Sequence, residues 1–493
     1  MEQLPNFLNQ RAFLTPNRLA LVFDNQRWSF IEMYRTVETL AQKIATLGIQ
    51  AKDSVAILLT NRPHAVFIIH ALQQLGVSAV FLNHRLTAKE MVFQLKDSGT
   101  RLLISEDAFK EKMNDIKGLF HELTMTTIVE IDHLETKKVP LVNEFVLDEV
   151  CSIMYTSGTT GNPKGVLQSY GNHWWSAVGS ALNLGLTEKD GWLCAVPLFH
   201  ISGLSILMRS VIYGMPVYLY EQFNEKTINQ VLQAGEVTIM SVVSTMLYRL
   251  IDDLGDKRYH SNFRCMLLGG GPAPKPLLDA CLEKNIPVFQ SYGMTETSSQ
   301  IVTLAPEDSI VKLGSAGKPL FPSQLKIMNN QMQLLPNQPG EIVVKGPNVT
   351  KGYLNREGAN KKNFKEGWFY TGDIGYVDED GYLFVMDRRS DLIISGGENI
   401  YPAEIEEVLL SHSVVKEAGV VGIEHTQWGQ VPYAFVVVSE PVNEADLVNY
   451  CRDKLAKFKI PHHIYFVNEL PRNASNKLLR RKLHELMPKG ELG

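Results

Sequence analysis

The chain has little of what marks an exported, membrane-bound or nucleic-acid-binding protein. Of its 493 residues only five are cysteine (Cys151, Cys194, Cys265, Cys281 and Cys451), odd in number, scattered, and without a C-x-x-C pair. A disulfide framework, a zinc knuckle and a dithiol redox motif are therefore excluded, and a reducing cytoplasm is the expected compartment. Long apolar runs are also missing: the most hydrophobic stretch, "HAVFIIHALQQLGVSAVFL", is broken by His70, Gln73 and Gln74. The amino-terminal "MEQLPNFLNQ" has neither the basic nor the apolar segment of a secretion signal, so neither export nor membrane insertion is expected. The formal charge of −5 comes without any long basic block, which removes the electrostatic footprint of a nucleic-acid or anionic-membrane binder. Internal repeats and low-complexity tracts are absent as well.

What the chain does have is a large apolar fraction, 45% of its residues, enough to fill the cores of two or more domains. From Trp28 to about Ser105, helical patterns such as "FIEMYRTVETLAQKIATLG" alternate with short apolar strands such as "DSVAILLT" and "RLLIS". The alternation returns from about Gly191 to Gln300 and predicts two α/β layered units with largely parallel sheets. From Gly314 to Asp387 the texture changes to short strands punctuated by Gly, Pro and Asn, the pattern of a small β-barrel-like unit. A fresh series follows: "YPAEIEEVLLSH", with Pro402 near a helix start, then "YAFVVVSE" and "EADLVNYCRDKLA". The predicted architecture is α/β, with a large amino-terminal domain over 1–387 and a smaller α+β carboxyl-terminal domain over 388–493. The charged joint "DRRSD" marks the boundary.

Ser152 to Val166 reads "SIMYTSGTTGNPKGV", a strand-like run followed by a loop of glycines and hydroxyls that ends on Lys164. Glycines let backbone N–H groups converge on an anion, while hydroxyls and a cation complete its shell. A Walker-type loop has Gly immediately before its Lys and a helix after it. Here Pro163 precedes Lys164, and "KGVLQSY" reads as a second strand. The loop is expected to close a hairpin and hold phosphate in another manner, although a plain Gly/Ser/Thr turn has the same composition. A second phosphate-competent element, "SYGMTETSSQ" (Ser291 to Gln300), begins at a strand end, where open α/β sheets bind ligands. Tyr292 offers a face to a heteroaromatic ring, Thr295 a hydroxyl to a phosphate and Glu296 a hard oxygen to Mg²⁺; a capped helix start explains the same letters.

"LLGGGPAP" puts Gly269, Gly270 and Gly271 after a strand, where backbone passes close to a flat ligand or simply turns. Asp373 in "WFYTGDIGY" lies on a Gly-flanked turn suited to accepting hydrogen bonds from vicinal hydroxyls. Arg388 precedes the domain joint and Gly396 and Gly397 follow it. Lys477 sits in the polar loop of "LPRNASNKLLRRKL", ahead of a basic helix. Alone, each has an ordinary explanation as a turn or a solvated charge.

In order, however, Thr156 to Lys164, Tyr292 to Glu296, Asp373, Arg388, Ser395 to Glu398 and Lys477 resemble the motif series of the acyl-adenylate-forming superfamily, almost to Lys482. The resemblance implies an ATP-dependent acid–CoA ligase that makes an acyl-adenylate and then an acyl-CoA thioester. It implies that Thr156, Ser157, Gly158, Thr159, Thr160 and Lys164 cradle the β- and γ-phosphates, that Thr295 meets the α-phosphate and that Glu296 holds Mg²⁺. By the same resemblance, Tyr292, with Ser291, Gly293 and Met294 beside it, and the Gly269 to Gly271 backbone flank adenine. Asp373 and Arg388 hold the ribose. Lys477 is implied to bridge the substrate carboxylate and the α-phosphate. The small domain is implied to be mobile about Ser390, withdrawing Lys477 and presenting Gly396, Gly397 and Trp428 to the pantetheine arm of CoA. Two positions depart from the family: the hinge is commonly Asp or Lys where Ser390 stands, and Gly commonly precedes the lysine where Asn476 stands.

The acid is expected against "PLFHISGLSILMRSVIYG", Pro197 to Gly214, where His200 matches the family's aromatic or histidine gate. Ser202, Ser205 and Arg209, at offsets of three and seven, fall on one face of an otherwise apolar helix. A cation there either snorkels, pairs with a core acid or meets a second negative charge on the substrate. With "FHISGLS", "LLGGGPAP", "FQSYGMTET" and "DRRSDLIISGGENIYP", the chain closely resembles the bacterial o-succinylbenzoate–CoA ligase family of menaquinone biosynthesis, which implies an aromatic dicarboxylic acid as substrate. Ser299 and Thr303 are further candidate contacts. Medium-chain fatty-acid and 4-coumarate ligases share every motif but the cation. Carrier-loading adenylation enzymes use a phosphopantetheine arm, and no fused carrier domain is expected after Lys482; a non-catalytic nucleotide-binding regulator has no need of Lys477 or Glu296. The expected partners are a small aromatic dicarboxylic acid, ATP with Mg²⁺, and CoA, with homo-oligomerisation left open.

Overall fold

The computed structural model describes residues 2–156, 163–270, 273–329, 332–388, 391, 393–395, 398–400, 402–425, 428–455, 457–473 and 476–487, with backbone alone at 387, 388, 394, 398 and 399. The first α/β layer is a six-stranded sheet in the order Lys164–Ser169, Val150–Thr156, Ser78–Phe81, Ser54–Leu58, Leu102–Ser105, Thr124–Thr127. Its inner strands read as continuous apolar runs because both faces are covered; Val55 to Leu58 are all buried. One covering helix, Phe30–Ile44, starts at a capping box made by Ser29 and Glu32. It buries Phe30, Met33, Val37, Leu40, Ala41 and Ile44, a stripe at helical spacing. Each neighbouring strand pair in this sheet is parallel except the first. There Lys164 lies opposite Thr156 in an antiparallel pair, so the glycine-rich loop does close a hairpin.

The second layer is built on Trp192–Cys194, Val217–Leu219, Ile239–Val243, Cys265–Gly269 and Val288–Met294, all paired in parallel. Ser299–Leu304 then returns antiparallel beside Val288–Met294. The strand-rich stretch is joined edge to edge to this layer: Ser315–Pro319 pairs with Ser299–Leu304 on one side and with Leu383–Arg388 on the other. The carboxyl-terminal residues form a separate five-stranded sheet from Ile393–Ser395 to His463–Phe466, packed by helices Pro402–Leu410 and Glu444–Arg452. Sheet membership thus changes between Arg388 and Ile393.

Two local expectations are corrected. Asp373 lies within the strand Trp368–Val377 rather than on a turn; Gly372, at φ 76°, supplies the left-handed step that kinks the strand without ending it. The basic segment after Lys477 is a 3-10 run, Arg480–Leu486, and Arg480 turns inward to Asp391 (3.0 Å) and Glu406 (2.6 Å). All five cysteines are buried free thiols, and among the described residues no helix is long and apolar enough to cross a membrane.

Candidate active site

A cavity of about 840 Å³ lies against the helix Ile201–Tyr213. His200 stands at the start of this helix, and Ser202, Ser205 and Arg209 line the cavity from the face that their spacing defines. Opposite them the wall is made by Gly269, Gly270 and Ser291 at the ends of two parallel strands and by Ser299 and Gln300 at the head of the returning strand. Arg85 and Arg209, with Arg249 already paired to Glu225, line the cavity, and the one carboxylate among its described lining residues, Glu221, is bonded to Arg62 at 2.9 Å. The lining therefore favours an anion.

Arg209 is only 1% exposed. Its Nη2 donates to Ser299 Oγ at 3.2 Å, and its guanidinium stands 5.1 Å from the centroid of Trp192. The titratable side chains that act on it are Tyr213 and Cys265, both themselves held protonated by burial; burial lowers its pKa, and among the described residues its Nε has no partner. A guanidinium held this way costs several kcal/mol unless an anion meets it. His200 is similar in kind: burial, then the cationic Arg85 and His84, lower it to about 4, so it is a neutral imidazole at neutral pH, and its Nε2 is unpartnered. Gln300, 3% exposed, has both amide atoms unsatisfied. Thr303 is buried with an unpartnered hydroxyl but stands outside the cavity lining, further along the strand Ser299–Leu304.

The nucleotide-type residues gather around the same strand ends. Gly293 is required by close approach, since a Cβ there would lie 2.2 Å from Ser299 O across the tight return from Val288–Met294 to Ser299–Leu304. One residue earlier, Tyr292 donates from its hydroxyl to Asp373 Oδ2 at 2.9 Å, joining the predicted adenine and ribose contacts. Met294 leads into a 3-10 turn, Thr295–Thr297. The Thr295 carbonyl accepts from Gln168 Nε2 (2.9 Å), and Glu296 Oε1 accepts from the Tyr353 hydroxyl (3.0 Å). Lys164 Nζ stands 5.1 Å over the Tyr353 ring. Thr156 closes the opposite stem of the hairpin. Ser157, Gly158, Thr159, Thr160, Gly271, Ser390, Gly396 and Gly397 lie outside the described residues, as does the Arg388 side chain.

The loop of Lys477 reaches the cavity through its neighbour Asn476, which lines it. Asn473 ties the loop by accepting from Lys477 N (2.9 Å) and donating its own N–H to Lys477 O (2.8 Å). Asn476 has φ 61°, which explains both why the family favours Gly there and why Asn is accepted: its short polar side chain tolerates the left-handed region better than other L-residues. Trp428 is 46% exposed in the turn between Val415–His425 and Gly429–Val438, next to Gly429, which pairs with Ser395. Sequence reasoning does not single out Gln168, Gln300 or Tyr353. Gln300 stands inside the quoted "SYGMTETSSQ", so an amide ending a phosphate motif was the available signal; the other two carry none.

Residues 8–354 match the AMP-binding enzyme family, and residues 404–477 match the AMP-binding enzyme C-terminal domain. The chain belongs to the AMP-binding enzyme family. Among AMP-binding enzymes it is similar to the 2-succinylbenzoate–CoA ligase of Geobacillus kaustophilus, 57% identical over 493 residues that cover 100% of this chain and 99% of the relative. Of solved AMP-binding enzymes, the o-succinylbenzoate CoA synthetase of Bacillus subtilis in complex with the acyl-adenylate intermediate OSB-AMP is 51% identical, with a TM-score of 0.93 over 98% of both chains. The same enzyme in complex with ATP and magnesium ion is 50% identical, with a TM-score of 0.93 over 98% of this chain and 100% of that one.

Proposed function

We propose that this AMP-binding enzyme joins 2-succinylbenzoate to CoA, consuming ATP and forming 2-succinylbenzoyl-CoA, AMP and diphosphate, a step of menaquinone biosynthesis. One observation carries the choice of acid: Arg209 is buried in the cavity wall and, among the described residues, has no carboxylate partner. A fatty acyl chain gains nothing from that cation, whereas the ring carboxylate of a dicarboxylic acid satisfies it by a charge-assisted pair. Ser202, Ser205 and Ser299 add hydroxyls, and Gln300 offers an amide to the keto oxygen between ring and succinyl chain.

The chemistry follows from the leaving groups. A free carboxylate does not acylate a thiol, because oxide would have to leave. Attack of the succinyl carboxylate on the α-phosphorus expels diphosphate and leaves a mixed anhydride, from which CoA sulfur then displaces AMP. In the first step charge builds on phosphate oxygens, so positioning and cations carry the catalysis. Thr156, Lys164 and the intervening loop hold the β- and γ-phosphates, Thr295 the α-phosphate, Tyr292 and the Gly269–Gly270 backbone the adenine, and Asp373 with Arg388 the ribose. Lys477 neutralises the α-phosphate and the incoming carboxylate together, and His200 sits beside that carboxylate uncharged, so it leaves this role to the lysine.

Magnesium neutralises charge on the triphosphate when bound. Among the described residues no group of three or more His, Cys, Asp or Glu forms a cage for it. One carboxylate, Glu296, and the nucleotide's own oxygens would hold the ion. Arg388 still pairs with Asp373 in the sheet of the large domain, so the change of sheet supports a boundary just beyond the expected 387/388, beside the hinge at Ser390. Presentation of Gly396, Gly397 and Trp428 to pantetheine then belongs to the second step. Five buried thiols support a reducing, cytoplasmic setting.

The test is exchange of labelled diphosphate into ATP without CoA, with 2-succinylbenzoate, hexanoate or 4-coumarate as the acid. Exchange with 2-succinylbenzoate alone is expected; exchange only with a monocarboxylate would remove the dicarboxylate assignment and leave the adenylation chemistry standing.

A further inference from the structure

Lys164 and Glu296 come from different layers of the fold, one from the stem of the phosphate loop and one from the turn after Val288–Met294. Both touch the same side chain. Tyr353, 4% exposed, donates its hydroxyl to Glu296 Oε1 at 3.0 Å while its ring centroid lies 5.1 Å from Lys164 Nζ. The backbone around it is fixed from both sides. Tyr353 bridges to Val166, Leu354 N donates to Gly165 O (2.8 Å), and Leu167 N donates to Gly352 O (3.1 Å). Thr350 N donates to Glu296 O (2.8 Å). Asn360 closes the arrangement, accepting from Tyr353 N at Oδ1 (2.8 Å) and donating Nδ2 to Tyr353 O (2.9 Å). The ring cannot shift without moving the loop stem, the 295–297 turn or both.

A lysine and a glutamate brought to one triphosphate tend to neutralise each other, which would silence the groups meant for the phosphates and for the metal. A phenol between them offers each a weaker interaction than an ion pair: a π face for the ammonium and one O–H for the carboxylate. We propose that Tyr353 is a positioning residue that holds Lys164 and Glu296 apart and aimed, one at the terminal phosphates and the other at the divalent ion. The proposal rests on the nucleotide roles given above but not on the identity of the acid.

The test is ATP affinity as a function of Mg²⁺ concentration, measured by calorimetry on the full chain without any acid, for the parent, Tyr353→Phe, Tyr353→Leu and Glu296→Gln. Tyr353→Phe keeps the ring and its packing; it is expected to retain the metal-free affinity for ATP and to lose roughly tenfold or more of the gain that Mg²⁺ confers, the scale of one hydrogen bond to a charged group. Tyr353→Leu is expected to lose the same gain and, in addition, roughly threefold of the metal-free affinity, as the cation loses its π face. A Phe variant with the parent's full Mg²⁺ gain, beside a Glu296→Gln variant that has lost it, would reduce Tyr353 to a packing residue and overturn the proposal. A Glu296→Gln variant that keeps the gain would overturn the proposal together with the metal role of Glu296. Failure of diphosphate exchange with 2-succinylbenzoate alongside the expected Mg²⁺ shifts would retire the acid assignment and leave the role of Tyr353 supported.

Discussion

The acid-facing wall and the nucleotide-facing rim are built by opposite means. The wall is a regular helix, Ile201–Tyr213, whose one cation is 1% exposed and, among the described residues, has no carboxylate neighbour. The rim is a set of strand ends and turns in which polar groups are already bonded to one another, Tyr292 to Asp373, Gln168 to Thr295 and Tyr353 to Glu296. Specificity is thus placed where an unsatisfied charge makes a wrong ligand costly, and the common chemistry where a satisfied network keeps its geometry without a ligand.

Removing the one charge that belongs to neither region should have the largest effect. Lys477→Ala is expected to slow adenylation by a hundredfold or more, as for loss of a charge-assisted transition-state contact, while a synthetic acyl-adenylate is still converted by CoA. Equal loss in both half-reactions would contradict the division of labour. Next, Arg209→Met tests the wall. The KM for 2-succinylbenzoate should rise by roughly a hundredfold with the KM for ATP within about twofold, and the ligand-free protein should melt higher, because an unpaired buried charge has been replaced by an apolar chain. A lower melting point with unchanged KM values would make Arg209 a structural residue of the core.

The two regions should also part in their response to acid. His70, His173 and His200 are each held at about 4 by burial, below the ordinary histidine value. Below that ordinary value the unfolded chain binds protons that the native state refuses, so stability is fully present above about pH 6.5 and is lost as pH falls toward 4, by on the order of 3 kcal/mol per buried imidazole. Melting curves from pH 8 to 4 should fall through this window, and His173→Gln, in the layer behind Arg209, should flatten the fall. The smallest effect is expected at Asn476, where Gly should be tolerated within about twofold in adenylation. Val there, strained by roughly 1–2 kcal/mol at positive φ, should disturb adenylation but spare thioesterification.

Much of this site was legible because punctuation is local. Gly and Pro around Lys164 were enough to exclude a Walker loop, and the offsets of Ser202, Ser205 and Arg209 were enough to put them on one wall. The rim's pairings were not legible. Tyr292 meets Asp373 across 81 residues and Tyr353 meets Glu296 across 57, distances at which no periodicity connects two letters. Gln300 escaped notice for a subtler reason. Strand alternation would send Ser299 and Gln300 to opposite faces, but Ser298 and Ser299 have φ of 52° and 110°, outside extended geometry, and both Ser299 and Gln300 line the cavity. Asp373 was placed on a turn because two glycines flank it, whereas the left-handed step at Gly372 and the register shift at Ile374/Gly375 only interrupt the ladder, which resumes at Asp373 opposite Arg388.

The five cysteines bear on the second half of the reaction. Burial pushes Cys151, Cys194, Cys265 and Cys281 up to about 12 and Cys451 up to about 11. An acyl-adenylate is an indiscriminate electrophile, and an enzyme that holds one while waiting for a thiol risks acylating itself. Here every thiol of the chain is both shielded and protonated at neutral pH, so the activated acyl group is left for a thiol brought from outside.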